Sequence, residues 1–98
     1  MIGRNRYHGK PDATLAPIKD ALKAVGCDVL DLGAVGMGCA DLLVYHPPSG
    51  LLRLLEAKSR TGKLNALQQA FSRRFPVWVV RTPDEALRAV GLVPAETK

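Results

Sequence analysis

The chain has no long apolar run and few cysteines, and each absence excludes a class of protein. No run approaches the roughly 20 apolar residues of a membrane-spanning helix. The N-terminal sequence MIGRNRYHGKPD also lacks the apolar core of a signal peptide. Two cysteines, Cys27 and Cys39, are too few for a framework of several disulfides, and they show no CxxC spacing. We therefore expect a cytoplasmic protein without a membrane partner, in which both thiols are free and buried.

Internal repeats, low-complexity segments and linkers are also missing, so the 98 residues predict a single domain, 1–98. Apolar residues make up 47% and charged residues 23%, a composition typical of folded proteins. Residues 1–11 read as a basic N-terminal arm. The net charge of +5 is compatible with a polyanionic partner, although many small basic proteins bind nothing acidic.

An amphipathic helix is predicted after the arm, because apolar residues recur at spacings of three and four. These residues are Leu15, Ile18, Leu22 and Val25. Since Pro17 is best tolerated in a first turn, Thr14 is the expected N-cap and Asp12 lies just before the helix. Gly26 is expected to end it.

The remaining pattern predicts an α/β fold with one mixed sheet flanked by helices. Strands are expected at 27–32, 40–45, 51–58 and 77–80, and the apolar character of the second and third on nearly both faces predicts that they lie in the middle of a covered sheet. A second helix carries an apolar stripe, and a third begins at the cap Thr82 with Pro83 in its first position. The stripe consists of Leu64, Leu67, Phe71 and Phe75.

Two carboxylates and a lysine lie on the predicted hairpin around the Pro-Pro-Ser-Gly turn, 47–50. If the turn is centred between residues 48 and 49, Asp41 faces Glu56 directly across the strand pair. Lys58 shares their face because side chains alternate along a strand. A bulge or a register slip by one residue would break this pairing.

Opposed carboxylates repel each other, and a divalent cation is one way to compensate them. Mg²⁺ takes oxygen ligands, commonly one or two carboxylates with water and phosphate, and the carbonyl of Ala57 offers a further oxygen. Lys58 would then orient or deprotonate a water, or neutralise charge that develops on phosphorus. The alternative is a solvent-exposed ion pair between Asp41 and Lys58, which the spacing alone favours.

Gln68 adds a further polar group, because it falls on the apolar stripe of the second helix whereas Gln69 points away. An amide on such a face needs a hydrogen-bond partner, either at the rim of a polar site or in the backbone. The glycines of GAVGMG, 33–38, permit either a close approach to a ligand or a plain tight turn.

Three segments, VGMGCADLLV (35–44), LLEAK (54–58) and KLNALQQAF (63–71), together resemble the PD-(D/E)XK nuclease superfamily. Within it they are most similar to small stand-alone phage and bacterial members that are related to VRR-NUC domains and Holliday-junction resolvases. The resemblance spans about residues 12 to 90 in the expected order. It implies a restriction-endonuclease-like αβββαβ core, with Ala40 where the family usually has proline.

The resemblance implies a role for five residues. Asp41 and Glu56 would bind the metal, Lys58 would be the catalytic lysine, and Gln68 would be the helix glutamine beside the site. Asp12 matches the additional acid that family members often carry on the first helix. The implied reaction is hydrolysis of DNA phosphodiester bonds with Mg²⁺ or Mn²⁺, in a bacterial or phage-infected cell.

DNA phosphates would be contacted by basic residues at three places. These are Arg4, Arg6 and Lys10 in the arm, Arg60 and Lys63 after the E-x-K strand, and Arg73 and Arg74 at a helix C-terminus. The last pair also suits the helix dipole alone. His8 and His46 lack metal-ligand spacing and are expected to be solvated loop residues.

By analogy with the small resolvases we expect a homodimer that acts on branched DNA rather than on a specific sequence. Nothing in the chain resembles a sequence-reading helix. The alternatives are a nucleic-acid-binding module on the same fold that has lost catalysis, and a partner-binding domain with surface acids.

Overall fold

The computed structural model describes residues 12–92, which form an α/β fold with the predicted order of elements. The elements are α1 (Asp12–Ala24), β1 (Asp28–Asp31), β2 (Leu42–His46), β3 (Leu51–Ala57), α2 (Ala66–Arg74), β4 (Val77–Val80) and α3 (Pro83–Ala89). No helix among these residues is long and apolar enough to cross a membrane.

The four strands form one mixed sheet in the order β1-β2-β3-β4. The first two pairs are antiparallel and the β3–β4 pair is parallel, so the chain needs a crossover between β3 and β4, which contains α2. In the β2–β3 hairpin Leu42 faces Leu55 and His46 faces Leu51. This confirms the predicted register, and its next step places Asp41 opposite Glu56.

Helix α1 differs from the prediction at its start. It begins at Asp12, so Pro17 lies in its second turn and Thr14 is not the N-cap. The helix tolerates the proline because Ile18 and Leu22 are fully buried, and burial of two such side chains offsets the cost of about 3 kcal/mol for an internal proline. Gly26, with φ +90°, ends the helix as predicted.

The core lies between one face of the sheet and the helices α1 and α3. Leu42, Val44 and Leu55 point from the central strands towards Ile18 and Leu22. Helix α3 adds small side chains to the same cluster, and Thr82 caps it by accepting a hydrogen bond from the Glu85 N–H, with Pro83 in the first turn as predicted. Packing small residues close to the sheet places α1 and α3 side by side on this face.

The opposite face is open around Leu30, Tyr45 and Leu52, so the expectation of a sheet covered on both sides is wrong there. Leu30 and Leu52 are 57% and 59% exposed, and Tyr45 between them is exposed as well. Together with Leu43 they line a shallow hollow of about 240 Å³. The face is open because α1 and α3 both pack on the other side.

Helix α2 has no buried residue, which also differs from the prediction. Leu64 lies before the helix, Phe75 is its C-cap, and Leu67 is 61% exposed. The rings of Phe71 and Phe75 stack on each other with centroids 4.8 Å apart. The two rings thus pack on each other and not into the core.

Two polar predictions outside the carboxylate site are corrected in part. His46 is not a solvated loop residue, because only 5% of it is exposed and its Nδ1 lies 2.7 Å from Ser49 Oγ. This contact ties the end of β2 to its own turn. Both cysteines are free as predicted, but only Cys27 is buried, whereas Cys39 is half-buried. His8 lies outside the described residues.

Candidate active site

Asp41 is held against β3 at the point where β2 begins. Its Oδ2 accepts a hydrogen bond of 2.8 Å from the Ala57 N–H, so the carboxylate reaches across to the neighbouring strand. Because opposed residues of an antiparallel pair share a face, Asp41 and Glu56 lie on the face that carries Leu43 and Leu54. The two acids therefore stand at one end of the open face.

Glu56 is a buried carboxylate, with 1% of its surface exposed. Its Oε2 lies 3.8 Å from Lys58 Nζ and accepts a hydrogen bond of 3.2 Å from Gln68 Nε2. Burial of a charge is costly unless it is paired, and the lysine and the amide supply that compensation. Lys58 thus pairs with a buried acid, and its own side chain is only 15% exposed. This arrangement differs from the alternative of a solvent-exposed ion pair between Asp41 and Lys58.

Gln68 acts as a bridge between α2 and Glu56. Its Oε1 accepts from the Asn65 N–H, and Asn65 Oδ1 accepts from the Gln68 N–H, each at 2.9 Å. This capping box closes the first turn of α2 and fixes the amide so that Nε2 donates to Glu56. The box was readable in the sequence as Asn65 followed three residues later by Gln68, although Asn65 was not among the predicted site residues.

The glycine-rich loop before Asp41 contacts α2 directly. A Cβ placed on Gly38 would lie 2.3 Å from the carbonyl oxygen of Leu67, and the residue has φ +79°. Of the two predicted roles of the glycines, the structure shows a tight turn, in which the Cys39 N–H donates to the Gly36 carbonyl, and the close approach of Gly38 to the backbone of α2 was not predicted. The loop thus presses against the turn that carries Gln68.

The thiol of Cys39 is affected by the same cluster. Burial raises the pKa of this thiol, a hydrogen bond with the Ala40 N–H partly offsets the rise, and the negative charges of Glu56 and Asp41 raise it further. Both carboxylates therefore act on the thiol at the end of the loop by raising its pKa.

The oxygen ligands at this site suit a hard cation in number and type. No group of three histidine, cysteine or acidic residues that could hold a metal occurs among the described residues. Two carboxylates, Asp41 and Glu56, are nevertheless the protein contribution that Mg²⁺ commonly receives, with water and phosphate completing its shell. Ala57 follows Glu56 as the last residue of β3, and its role as a carbonyl ligand stays a prediction. The side chain of Asp12 lies outside the described residues.

The predicted DNA-contacting residues that the structure describes lie in two places, after β3 and at the end of α2. Arg60 and Lys63 are exposed on the connection from β3 to α2. Arg73 and Arg74 lie in the last turn of α2, where Arg74 stacks on the Phe75 ring at 5.1 Å. The arm residues Arg4, Arg6 and Lys10 lie outside the described residues.

Arg81 is a neighbour of the site that the sequence pattern did not reveal. It follows β4, and its Nη1 donates to the carbonyls of Ser59 and Gly62 at 2.6 and 2.8 Å. Lys58 donates its own N–H to the Val80 carbonyl at 3.0 Å. The segment that follows the predicted catalytic lysine is thereby attached to the edge strand.

Comparisons of the chain with family models, with curated proteins and with solved structures find no match. Only the fold and the site therefore indicate what kind of protein this is. It is an α/β protein in which two carboxylates and a lysine at one end of the mixed sheet meet an amide from α2.

Proposed function

We propose that the chain is a metal-dependent DNA endonuclease with a restriction-endonuclease-like core. The observation that carries the proposal is the contact of Glu56 with both Lys58 and Gln68, with Asp41 on the same face and bonded to the Ala57 N–H. Residues far apart in the sequence meet in the combination that the resemblance assigns to one site. A coincidence of surface charges does not account for a buried glutamate with this set of partners.

Each side chain has a separate task in the proposed reaction. Asp41 and Glu56 would hold Mg²⁺ or Mn²⁺, which when bound lowers the pKa of water and polarises a phosphate oxygen. Lys58 would orient the attacking water and offset negative charge that develops on phosphorus. Gln68 fixes the rotamer of Glu56 through its hydrogen bond.

The test is cleavage of labelled linear, nicked, single-stranded and four-way DNA in the presence of Mg²⁺ or Mn²⁺. Glu56→Gln keeps the volume and removes the charge, and Lys58→Met keeps the chain length and removes the ammonium. We expect each to lower the cleavage rate at least about 100-fold, the scale of a lost catalytic group. Asp20→Asn and Lys23→Met change exposed residues of α1 in the same way and are the matched controls for contaminating nuclease.

The outcomes separate the candidate functions. Cleavage by the wild type and both controls, but by neither site variant, supports the proposal. Wild-type protein that binds DNA but never cuts it points instead to a nucleic-acid-binding module. Unchanged cleavage by Glu56→Gln refutes the site. Binding of Mn²⁺, followed by its electron paramagnetic resonance signal, should also weaken in Glu56→Gln, and this measurement is independent of activity.

A preference for branched DNA and assembly as a homodimer belong to the same proposal. The open face supports assembly because exposed, contiguous apolar side chains such as Leu30, Tyr45 and Leu52 are typical of protein interfaces. A dimer would bring two sites to the two strands of a branch.

The oligomeric state can be measured by light scattering of the chromatographed protein. A wild-type dimer that becomes a monomer in Leu52→Lys, with Leu67→Lys on α2 as the control exposed leucine, supports assembly through this face. A wild-type monomer at all concentrations contradicts it. Dimerisation lost in both variants alike contradicts the choice of face.

A further inference from the structure

Arg81 joins the edge of the sheet to the segment between β3 and α2. Parallel pairing places Val80 beside Ala57, so Arg81 comes next to the point at which the chain leaves β3. From there its Nη1 donates to the carbonyls of both Ser59 and Gly62. A single guanidinium nitrogen thus spans the two ends of a short loop, which we define as residues 59–63.

The loop also closes on itself. The Gly62 N–H lies 3.1 Å from the carbonyl oxygen of Ser59 and 3.1 Å from its hydroxyl oxygen. All these bonds involve the backbone or Ser59, so they fix the path of the loop. Arg60 and Lys63 remain exposed, with no hydrogen bond or ion pair to any other described residue.

The charge around the loop is of one sign. Between Glu56 and Asp84 the sequence contains six basic residues and no acidic one. Arg60 and Lys63 lie near the start of this interval, and the nearest acid before them in the sequence, Glu56, is already paired with Lys58. A fixed loop of this charge suits the phosphates of a nucleic-acid backbone, because the entropy cost of ordering it is met before DNA arrives.

We infer that the 59–63 loop is a preformed phosphate-binding loop, in which Arg60 and Lys63 contact DNA and Arg81 is the positioning residue that sets the backbone. The inference rests on the proposed function, since it names the part of the site that holds the substrate beside the cleaved bond. Arg81 is assigned to positioning because its Nη1 is engaged by two carbonyls of the loop.

Affinity for a fluorescein-labelled duplex, measured without divalent metal to prevent cleavage, tests this role. We expect Arg81→Gln and Arg60→Gln each to weaken binding on the order of tenfold, the effect of losing one charge-assisted contact. Adding Arg81→Gln to a variant that already carries Arg60→Gln and Lys63→Gln should weaken binding by no more than about threefold, because Arg81 acts only through those two contacts.

Two further measurements separate positioning from a general loss of structure. With metal, Arg81→Gln should raise KM while kcat stays within about twofold, whereas partial unfolding would lower the apparent kcat. Trypsin should cleave after Arg60 and Lys63 faster in Arg81→Gln than in the wild type. Arg88→Gln, at an exposed site in α3, is the control and should change none of these values.

The results distinguish this inference from the proposed function. Wild-type protein that cuts DNA, together with Arg81→Gln that binds as tightly as wild type, overturns the role of Arg81 alone. A full additional loss of affinity when Arg81→Gln is added to Arg60→Gln and Lys63→Gln shows that Arg81 contacts phosphate directly and also overturns it. Wild-type protein that binds no DNA overturns both the proposed function and the phosphate-binding loop, whatever trypsin shows.

Discussion

The contact between Gly38 and α2 gives the sharpest prediction, because the chain contains its own control. Gly36 and Gly38 have nearly the same backbone angle, φ +77° and +79°, so an alanine at either position carries a similar strain of about 1–2 kcal/mol. A Cβ on Gly36 meets nothing within 4 Å, whereas one on Gly38 lies 2.3 Å from the Leu67 carbonyl oxygen. The difference between the two variants therefore measures the contact alone.

The size of the effect follows from these distances. Ordinary van der Waals contact begins at 3.4 Å, so the first turn of α2 must move away by about 1 Å. Gln68 Nε2 is already 3.2 Å from Glu56 Oε2, and a further 1 Å breaks this bond. Loss of a hydrogen bond to a buried carboxylate is worth about 1.5–3 kcal/mol, so Gly38→Ala should be less stable than Gly36→Ala by that amount.

Urea unfolding and thermal melting measure both variants. Gly36→Ala should lower Tm by about 4–8 °C, as expected for a loss of about 1 kcal/mol in a domain of this size, and Gly38→Ala should lower it further. If the proposed function holds, cleavage should also fall in Gly38→Ala, on the order of 100-fold for a displacement of about 1 Å, and change little in Gly36→Ala. Equal stability and activity of the two variants would refute the argument.

Two further predictions concern single polar contacts. Gln68→Glu keeps an acceptor for the Asn65 N–H but replaces the donor to Glu56 by a second carboxylate, so it should lower stability and cleavage. Gln69→Glu removes only an exposed hydrogen bond to the Leu64 carbonyl, so it should cost less stability and leave cleavage nearly unchanged. Asp31→Asn should lower the free energy of unfolding, measured in urea at pH 7, by about 0.5 kcal/mol, the scale of an exposed ion pair. Burial of Asp31 opposes its ionisation, but the Gly33 N–H and the Lys19 ammonium hold its pKa below the usual range. A carboxyl whose pKa is lowered in the folded state stabilises the protein above its unfolded pKa of about 3.9. The difference in stability between the wild type and Asp31→Asn should therefore disappear as the pH falls through the folded pKa. An equal difference at pH 7 and pH 2 would contradict this account.

The sequence predicted the hairpin register and the order of elements because both depend on local signals. The Pro-Pro-Ser-Gly turn fixes which residues face each other, and alternation then places Glu56 and Lys58 on one side. The glycine and capping signals at Gly26 and Thr82 are equally local, and they were interpreted correctly.

The errors arose where tertiary packing decides the outcome. Pro17 was placed in a first turn by a local preference, which the burial of its neighbours in α1 overrides. The strands are apolar on both sides, but apolar composition does not tell whether a helix covers a face, and Leu52 is exposed. Arg81 has no signal in the sequence, because its bonds to Ser59 and Gly62 depend on a parallel pairing between strands far apart in the chain.

The absence of a buried residue in α2 has a consequence for the order in which the protein opens. With Leu67 exposed, α2 depends on its capping box, the Gly38 contact and the Gln68–Glu56 bond, whereas α1, α3 and the central strands share the core. Such a helix is expected to unfold locally at a lower free energy than the core, so its amide hydrogens should exchange before those of β3. Each opening removes the Gln68 hydrogen bond from Glu56 while Asp41 and Glu56 both stay on the β2–β3 hairpin, so the two acids and the amide of the candidate site belong to cooperative units of different stability.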